Sequence, residues 1–170
     1  MAEVTPYRSG YLPDPLRPQH RIWWELHGTG DREVVCLLNG LAMHTRAWYP
    51  FIEDLAGYVV LLFDYIGQGA SACPDEPVTM PQLAGELGAI LDEVGIERVH
   101  AMGVSYGGFV ALEFARLYQE RLHTLTVSGI LLSYERLFEL YQAISLRFYA
   151  GGPELFPLYT QYMYEKIFGE

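Results

Sequence analysis

Short unbroken apolar runs, separated by joints rich in glycine, proline and aspartate, alternate along this chain with stretches of helical spacing. Arg21-Ile22-Trp23-Trp24-Glu25-Leu26 predicts a strand closed by His27-Gly28-Thr29-Gly30. Val34 to Leu38 and Tyr58 to Phe63 are continuous apolar runs of strand length, the pattern of strands covered on both faces. Trp48 to Leu55 predicts a short helix. Thr79-Met80-Pro81-Gln82 has the form of a capping box, with proline in the first turn. The helix it opens carries Leu83, Leu87, Ile90, Leu91 and Val94 on one face and stops at Gly95. Val99 to Val104 is the next strand, a helix opens at Tyr106 and runs through Leu117, and His123 to Leu132 is a further strand. Strands alternating with helices imply an α/β protein, with a parallel sheet and helices on both faces.

The two ends differ from this middle. Residues 1–20 hold Pro6, Pro13, Pro15 and Pro18 and little apolar periodicity, so they read as an extended arm. Residues 133–170 hold ten aromatics, from Tyr134 to Phe168. There Leu137, Phe138, Tyr141, Ile144 and Phe148 recur at helical spacing, and two helices broken at Gly151-Gly152-Pro153 fit best. Such a stripe either packs on the sheet or forms an apolar lid lining a pocket for a greasy substrate. The expected organisation is an arm over 1–20, a core over 21–132 and a helical cap over 133–170.

Composition narrows the classes. With 51% apolar and 19% charged residues the 170-residue chain is globular, and one domain of this size buries roughly 70% of its unfolded surface. A net charge of −10 argues against nucleic acid or an anionic membrane surface as partner. No apolar run approaches a membrane span, and the N-terminus lacks the basic start and apolar stretch of a signal peptide. Cys36 and Cys73 stand alone, without metal spacing or a disulfide framework. No phosphate loop or ligand cluster appears, so no cofactor and no metal is implied. A soluble, reducing, cytoplasmic setting is the expectation.

Candidate chemistry centres on Gly103-Val104-Ser105-Tyr106-Gly107. Glycine-x-serine-x-glycine alone occurs by chance in roughly one unrelated chain in twenty of this length. Here an apolar strand precedes it and a helix follows, the setting of a nucleophile elbow, where a serine sits on a strained turn that glycines allow to fold tightly. Over residues 21–132 the chain resembles the N-terminal part of the α/β-hydrolase family. Leu37-Leu38-Asn39-Gly40-Leu41 is similar to the family's His-Gly turn, and Asp64-Tyr65-Ile66-Gly67-Gln68-Gly69 to its aspartate-led glycine loop. The resemblance implies Ser105 as nucleophile, the N–H groups of Leu41 and Tyr106 as oxyanion donors, and Asp64 as a structural residue. Asn39 departs from the family's usual histidine, and an Asn-Gly turn is shared by some acyltransferase relatives.

The chemistry also demands a histidine base and a carboxylate to orient it, and the family's order is serine, acid, histidine. After Ser105 only His123 follows, at the start of a strand and so at the end of the sheet opposite the elbow. His44 follows the Asn-Gly turn, His100 reads as a core residue, and Glu135 falls where some relatives place their acid; none rebuilds a triad. A chain ending here would leave Leu125 to Leu132 as an apolar sheet edge, open to self-association. The sequence therefore reads as a truncated α/β-hydrolase core with the start of a helical cap, with feeble or no turnover by itself. The expected function is a carboxylesterase-like serine hydrolase that cleaves an ester or similar acyl bond of a small apolar substrate through an acyl-serine. Acyl transfer from the same serine, or a non-catalytic pocket lacking the base, are the alternatives.

Overall fold

The computed structural model describes residues 4–133 and 135–168, and the chain divides into two compact units, Met1–Ile130 and Leu131–Glu170. The first unit is built on a six-stranded sheet. Its strands are β1 (Arg8–Pro13), β2 (Arg21–His27), β3 (Val34–Leu38), β4 (Val59–Phe63), β5 (Val99–Val104) and β6 (Leu122–Ser128). They are ordered β1-β2-β4-β3-β5-β6. Strands β4, β3, β5 and β6 run parallel, as the apolar runs predict. Strands β1 and β2 are antiparallel additions, so the sheet is mixed. Within the expected N-terminal arm, β1 is held by cross-strand aromatic contact, with the Tyr11 and Trp23 ring centroids 4.8 Å apart. Its edge position tolerates Pro13, whose missing N–H no inner strand could spare.

Side-chain alternation sorts the strands' residues onto two faces. On one, Cys36, Leu38, Leu61, Phe63 and Ala101 pack with α1 (Met80–Val94) and α2 (Tyr106–Leu117) through Leu83, Leu87, Ile90, Val110, Ala111 and Phe114. On the other, Val35, Leu37, Val60 and Leu62 pack with Trp48. Both long helices of this unit thus lie on one face, where the sequence pattern led us to expect helices on both. The expected helix over Trp48–Leu55 is instead two short 3₁₀ turns, Thr45–Phe51 and Glu53–Leu55. Pro50 lies inside the first and has no N–H for an α-helical bond.

Helix α1 begins as the sequence predicts, with Gln82 Oε1 accepting the Thr79 N–H at 2.7 Å, and it ends on Gly95 at φ 76°. Strand β6 stops at Ser128, short of the predicted Leu132, because Gly129 takes a φ of 66° that no strand continues. In the second unit, α3 (Arg136–Ala150) and α4 (Phe156–Phe168) flank the predicted break. Tyr159 is buried between them, its ring 5.2 Å from Phe148 and 5.4 Å from Tyr149. Tyr134, and the side chains of Leu137, Tyr164 and Phe168, fall outside the described residues.

Two buried carboxyls tie the loops at the C-terminal end of the parallel strands. Asp64, just after β4, is 1% exposed. Its Oδ1 accepts the Thr45 N–H at 2.7 Å and Asn39 Nδ2 at 3.3 Å, and its Oδ2 accepts the Ala70 N–H at 2.8 Å. Asn39 also donates to the Phe63 carbonyl at 3.0 Å and accepts the Trp48 indole N–H at 2.7 Å. Burial raises the Asp64 carboxyl above its ordinary range, and the three donors offset only part of that. Glu86, on α1 and also 1% exposed, accepts the Ile66 N–H at 3.2 Å. With that one donor against full burial, its carboxyl is pushed up to about 8.

Replacing Asp64 by alanine would remove the acceptor that Thr45, Asn39 and Ala70 share and leave the buried Thr45 N–H without a partner, and we expect a loss of about 3 kcal/mol in urea unfolding. A loss below about 1 kcal/mol would show that the loops hold without it. Glu86 yields a pH dependence. Between the ordinary carboxylate range and about 8, the unfolded chain releases this proton while the folded chain keeps it, so stability falls as pH rises through that window. Glu86→Gln should remove the fall, gaining on the order of a few kcal/mol at pH 8 relative to the parent and little at pH 4. Equal differences at both pH values would contradict a neutral Glu86.

Candidate active site

Strand β5 delivers Ser105 to the end of the sheet, and α2 begins at the next residue. Ser105 has φ 52° and ψ −118°, a conformation that costs a non-glycine residue on the order of 1–3 kcal/mol. The surrounding residues enforce it. The Ser105 N–H donates to the Ser128 carbonyl at 2.8 Å, and its carbonyl accepts the Gly108 N–H at 2.9 Å. A Cβ at Gly103 would run into the Gly107 carbonyl, and one at Gly107 into the carbonyls of Leu38 and Asn39. Two glycines are therefore required by contact between β5, α2 and the end of β3. The serine side chain is left exposed at the tip.

The Asn-Gly turn approaches the same point. In the β3–β5 register Leu38 lies opposite Gly103, which carries Gly40 up to the level of the elbow. A Cβ at Gly40 would sit 3.5 Å from the Val104 carbonyl. Residues 40–43 close a tight turn, with the Met43 N–H donating to the Gly40 carbonyl at 3.2 Å and Ala42 at φ 59°. Leu41 is 66% exposed, and its N–H meets no acceptor among the described residues. Tyr106 is the first residue of α2, so its N–H is one of the helix's unpaired donors. Its half-buried ring turns inward, 6.1 Å from Tyr65, and burial, then Glu86, raises its hydroxyl pKa.

The other expected residues lie apart from this point. His100 stands near the start of β5, partly exposed on the sheet surface rather than in the core. It bonds Thr124 Oγ1 at 2.9 Å and Glu33 at 3.3 Å, and its ring is 5.1 Å from that of His123. Both histidines therefore sit at the end of the sheet opposite Ser105. Glu135 precedes α3 in the second unit. His44 lines a cavity of about 900 Å³ with Tyr11, Trp23, Glu25, Tyr49 and Asp64, and Ser105 is not among its walls. Among the described residues no hydrogen bond reaches the Ser105 hydroxyl.

One polar cluster escaped the sequence reading. Glu25, 3% exposed, accepts from Trp23 Nε1 at 2.7 Å, Thr45 Oγ1 at 3.1 Å and Tyr49 OH at 3.0 Å, and pairs with His27 Nε2 at 2.9 Å. Burial works to raise its carboxyl, and these donors, His27 foremost, outweigh burial and hold it below the ordinary range. The signal was present in the spacing: Trp23, Glu25 and His27 occupy alternate positions and share one face of β2. The cluster clamps β2 to the 3₁₀ turn that follows the Asn-Gly loop.

Comparison with known proteins places this geometry in a family. Residues 33–155 match the sequence profile described as the alpha/beta hydrolase fold. The putative carbamate hydrolase RutD of Azorhizobium caulinodans is 32% identical over 143 residues, covering 79% of this chain and 51% of its own. Homoserine O-succinyltransferase of Xanthomonas campestris pv. campestris is 35% identical over 127 residues, covering 64% of this chain and 34% of its own. Among solved structures, MGS-M2, an alpha/beta hydrolase enzyme from a Medee basin deep-sea metagenome library, superposes with a TM-score of 0.72 at 24% identity. That match covers 87% of this chain and 60% of MGS-M2, and at this identity the likeness is one of fold. The chain spans about half the length of the first of these curated relatives and about a third of the second. The strained serine between β5 and α2, the mixed sheet beneath it and the profile match agree: this chain belongs to the α/β-hydrolase fold family.

Proposed function

We propose that Ser105 is the nucleophile of an acyl hydrolase, and that the N–H groups of Leu41 and Tyr106 receive the negative oxygen it creates. The observation that carries this reading is the backbone of Ser105, held at φ 52° and ψ −118° with its side chain exposed. Strain of that kind persists only where surrounding structure enforces it, and it gathers at functional sites.

In the proposed reaction the Ser105 hydroxyl oxygen attacks the carbonyl carbon of an ester or related acyl bond. Its proton passes to a base and then to the leaving alcohol or amine as that bond breaks. The carbonyl oxygen becomes an oxyanion between two donors that make no other bond among the described residues, one of them at the positive end of α2. Water then adds to the acyl-serine and releases the acid. Turnover needs a histidine and a carboxylate beside the serine, so the described residues are assigned the nucleophile and the oxyanion donors only. The substrate we infer is a small molecule with an apolar acyl group.

Acyl transfer is a second reading, favoured by the Asn39-Gly40 turn and by the similarity to a succinyltransferase. There an alcohol or amine replaces water at the acyl-serine. Ser105→Ala in the whole protein should abolish release of p-nitrophenol from p-nitrophenyl butyrate, a drop of about 10³-fold or more. Retained activity would refute the assignment. Repeating the parent reaction with added homoserine separates the two readings, since accumulation of the O-acyl product in place of free butyrate identifies a transferase.

A further inference from the structure

The geometry points to Gln68 as a positioning residue for the oxyanion turn, holding the Gly40 carbonyl so that the Leu41 N–H faces the reacting oxygen. The inference rests on the proposed role of Leu41 and adds a side chain that the family resemblance does not assign.

The argument begins with the peptide group. The Gly40–Leu41 unit is planar and trans, so the Gly40 carbonyl and the Leu41 N–H point to opposite sides of one rigid plate. Whatever grips the carbonyl therefore aims the N–H. Two donors grip it: the Met43 N–H at 3.2 Å, from within the turn, and Gln68 Nε2 at 3.4 Å, from outside. The first closes the turn but moves with it. Among the described residues only the second ties the plate to another part of the molecule.

That second anchor is itself fixed. The Gln68 N–H donates to the Tyr65 carbonyl at 2.9 Å, and the Gln68 carbonyl accepts the Ser71 N–H at 3.0 Å. The flanking glycines take φ values of 87° and 52°, and a side chain at Gly69 would overlap the Asp64 carboxylate. Asp64 meanwhile holds Ala70 on this loop and Thr45 beyond the turn. Both partners of the Gln68–Gly40 contact are thus referred to one buried group. Among the described residues the carboxamide nitrogen donates to the Gly40 carbonyl alone, and its oxygen is buried without a partner. Reversing the amide would set that oxygen against the Gly40 carbonyl oxygen, so only the nitrogen fits there. The separation of 3.4 Å is at the long end for a hydrogen bond.

The test uses Gln68→Met, which keeps the length of the side chain and removes the donor. Acylation of Ser105 by p-nitrophenyl acetate should slow about tenfold, with KM changed by less than about twofold. Inhibition by an aryl trifluoromethyl ketone, which binds as a tetrahedral oxyanion, should weaken by the same factor. Gln68→Glu should be slower still, because its carboxylate repels the carbonyl it replaces a donor to. A Gln68→Met protein that acylates and binds the ketone like the parent overturns the proposal. So does one whose rate falls while ketone binding is unchanged, because a loss confined to packing would not follow the oxyanion. Ser105→Ala serves as the control that separates the two claims. If it still acylates, the underlying reading of the site has failed. If it does not, and Gln68→Met matches the parent, the positioning role alone has failed.

Discussion

The buried carboxylate of Asp64 is the constraint on which the arrangement at the end of the sheet depends. Three loops converge there, after β3, after β4 and after β5, and none has a regular ladder of hydrogen bonds to hold it. Asp64 reaches the first through Asn39 and Thr45 and the second through Ala70. The third is set against the end of β3 by glycine contact, Gly107 lying under the carbonyls of Leu38 and Asn39. A carboxylate suits the task because it accepts several N–H donors at once in fixed directions. Its position at the C-terminal end of a buried parallel strand, all of whose side chains are buried, gives it a rigid base.

Three of the buried carboxyls in this unit show how environment, not residue type, sets the affinity for a proton. Glu25 has four partners and stays ionised more readily than a free glutamate. Asp64 has three donors and is raised. Glu86 has a single backbone donor under nearly complete burial, and its affinity for a proton rises by far the most, to about 8. Hydrogen-bond donors offset the cost of burial, and Glu86 has the fewest of them. Glu86 is thereby left as a neutral acid beneath the glycine loop.

Much of this architecture was legible in the sequence because it rests on local signals. The apolar runs of β3 and β4, the capped helix α1 and the serine between glycines each carry their cause within a few residues. Strand β1 was not legible, since its support is Trp23 and Trp24 on a neighbouring strand and its own pattern is weak. The mixed sheet was missed for the same reason: direction is set by pairing, and an apolar run reads the same both ways. Pro50 was visible, and its missing N–H is what turns the predicted helix into 3₁₀ turns. At the site, Ser105 and the Asn39-Gly40 turn stand out in sequence, whereas the Gln68–Gly40 and Glu25 contacts join residues distant along the chain.

The central claim is that backbone strain at Ser105 presents a nucleophile between two free N–H donors. Its most direct test is intact-mass and peptide mapping of the whole protein after exposure to an alkyl fluorophosphonate, with and without Ser105→Ala. The account predicts one adduct per chain, carried by the peptide containing Ser105, and none in the variant. An adduct on another residue, or labelling that survives the substitution, would contradict it.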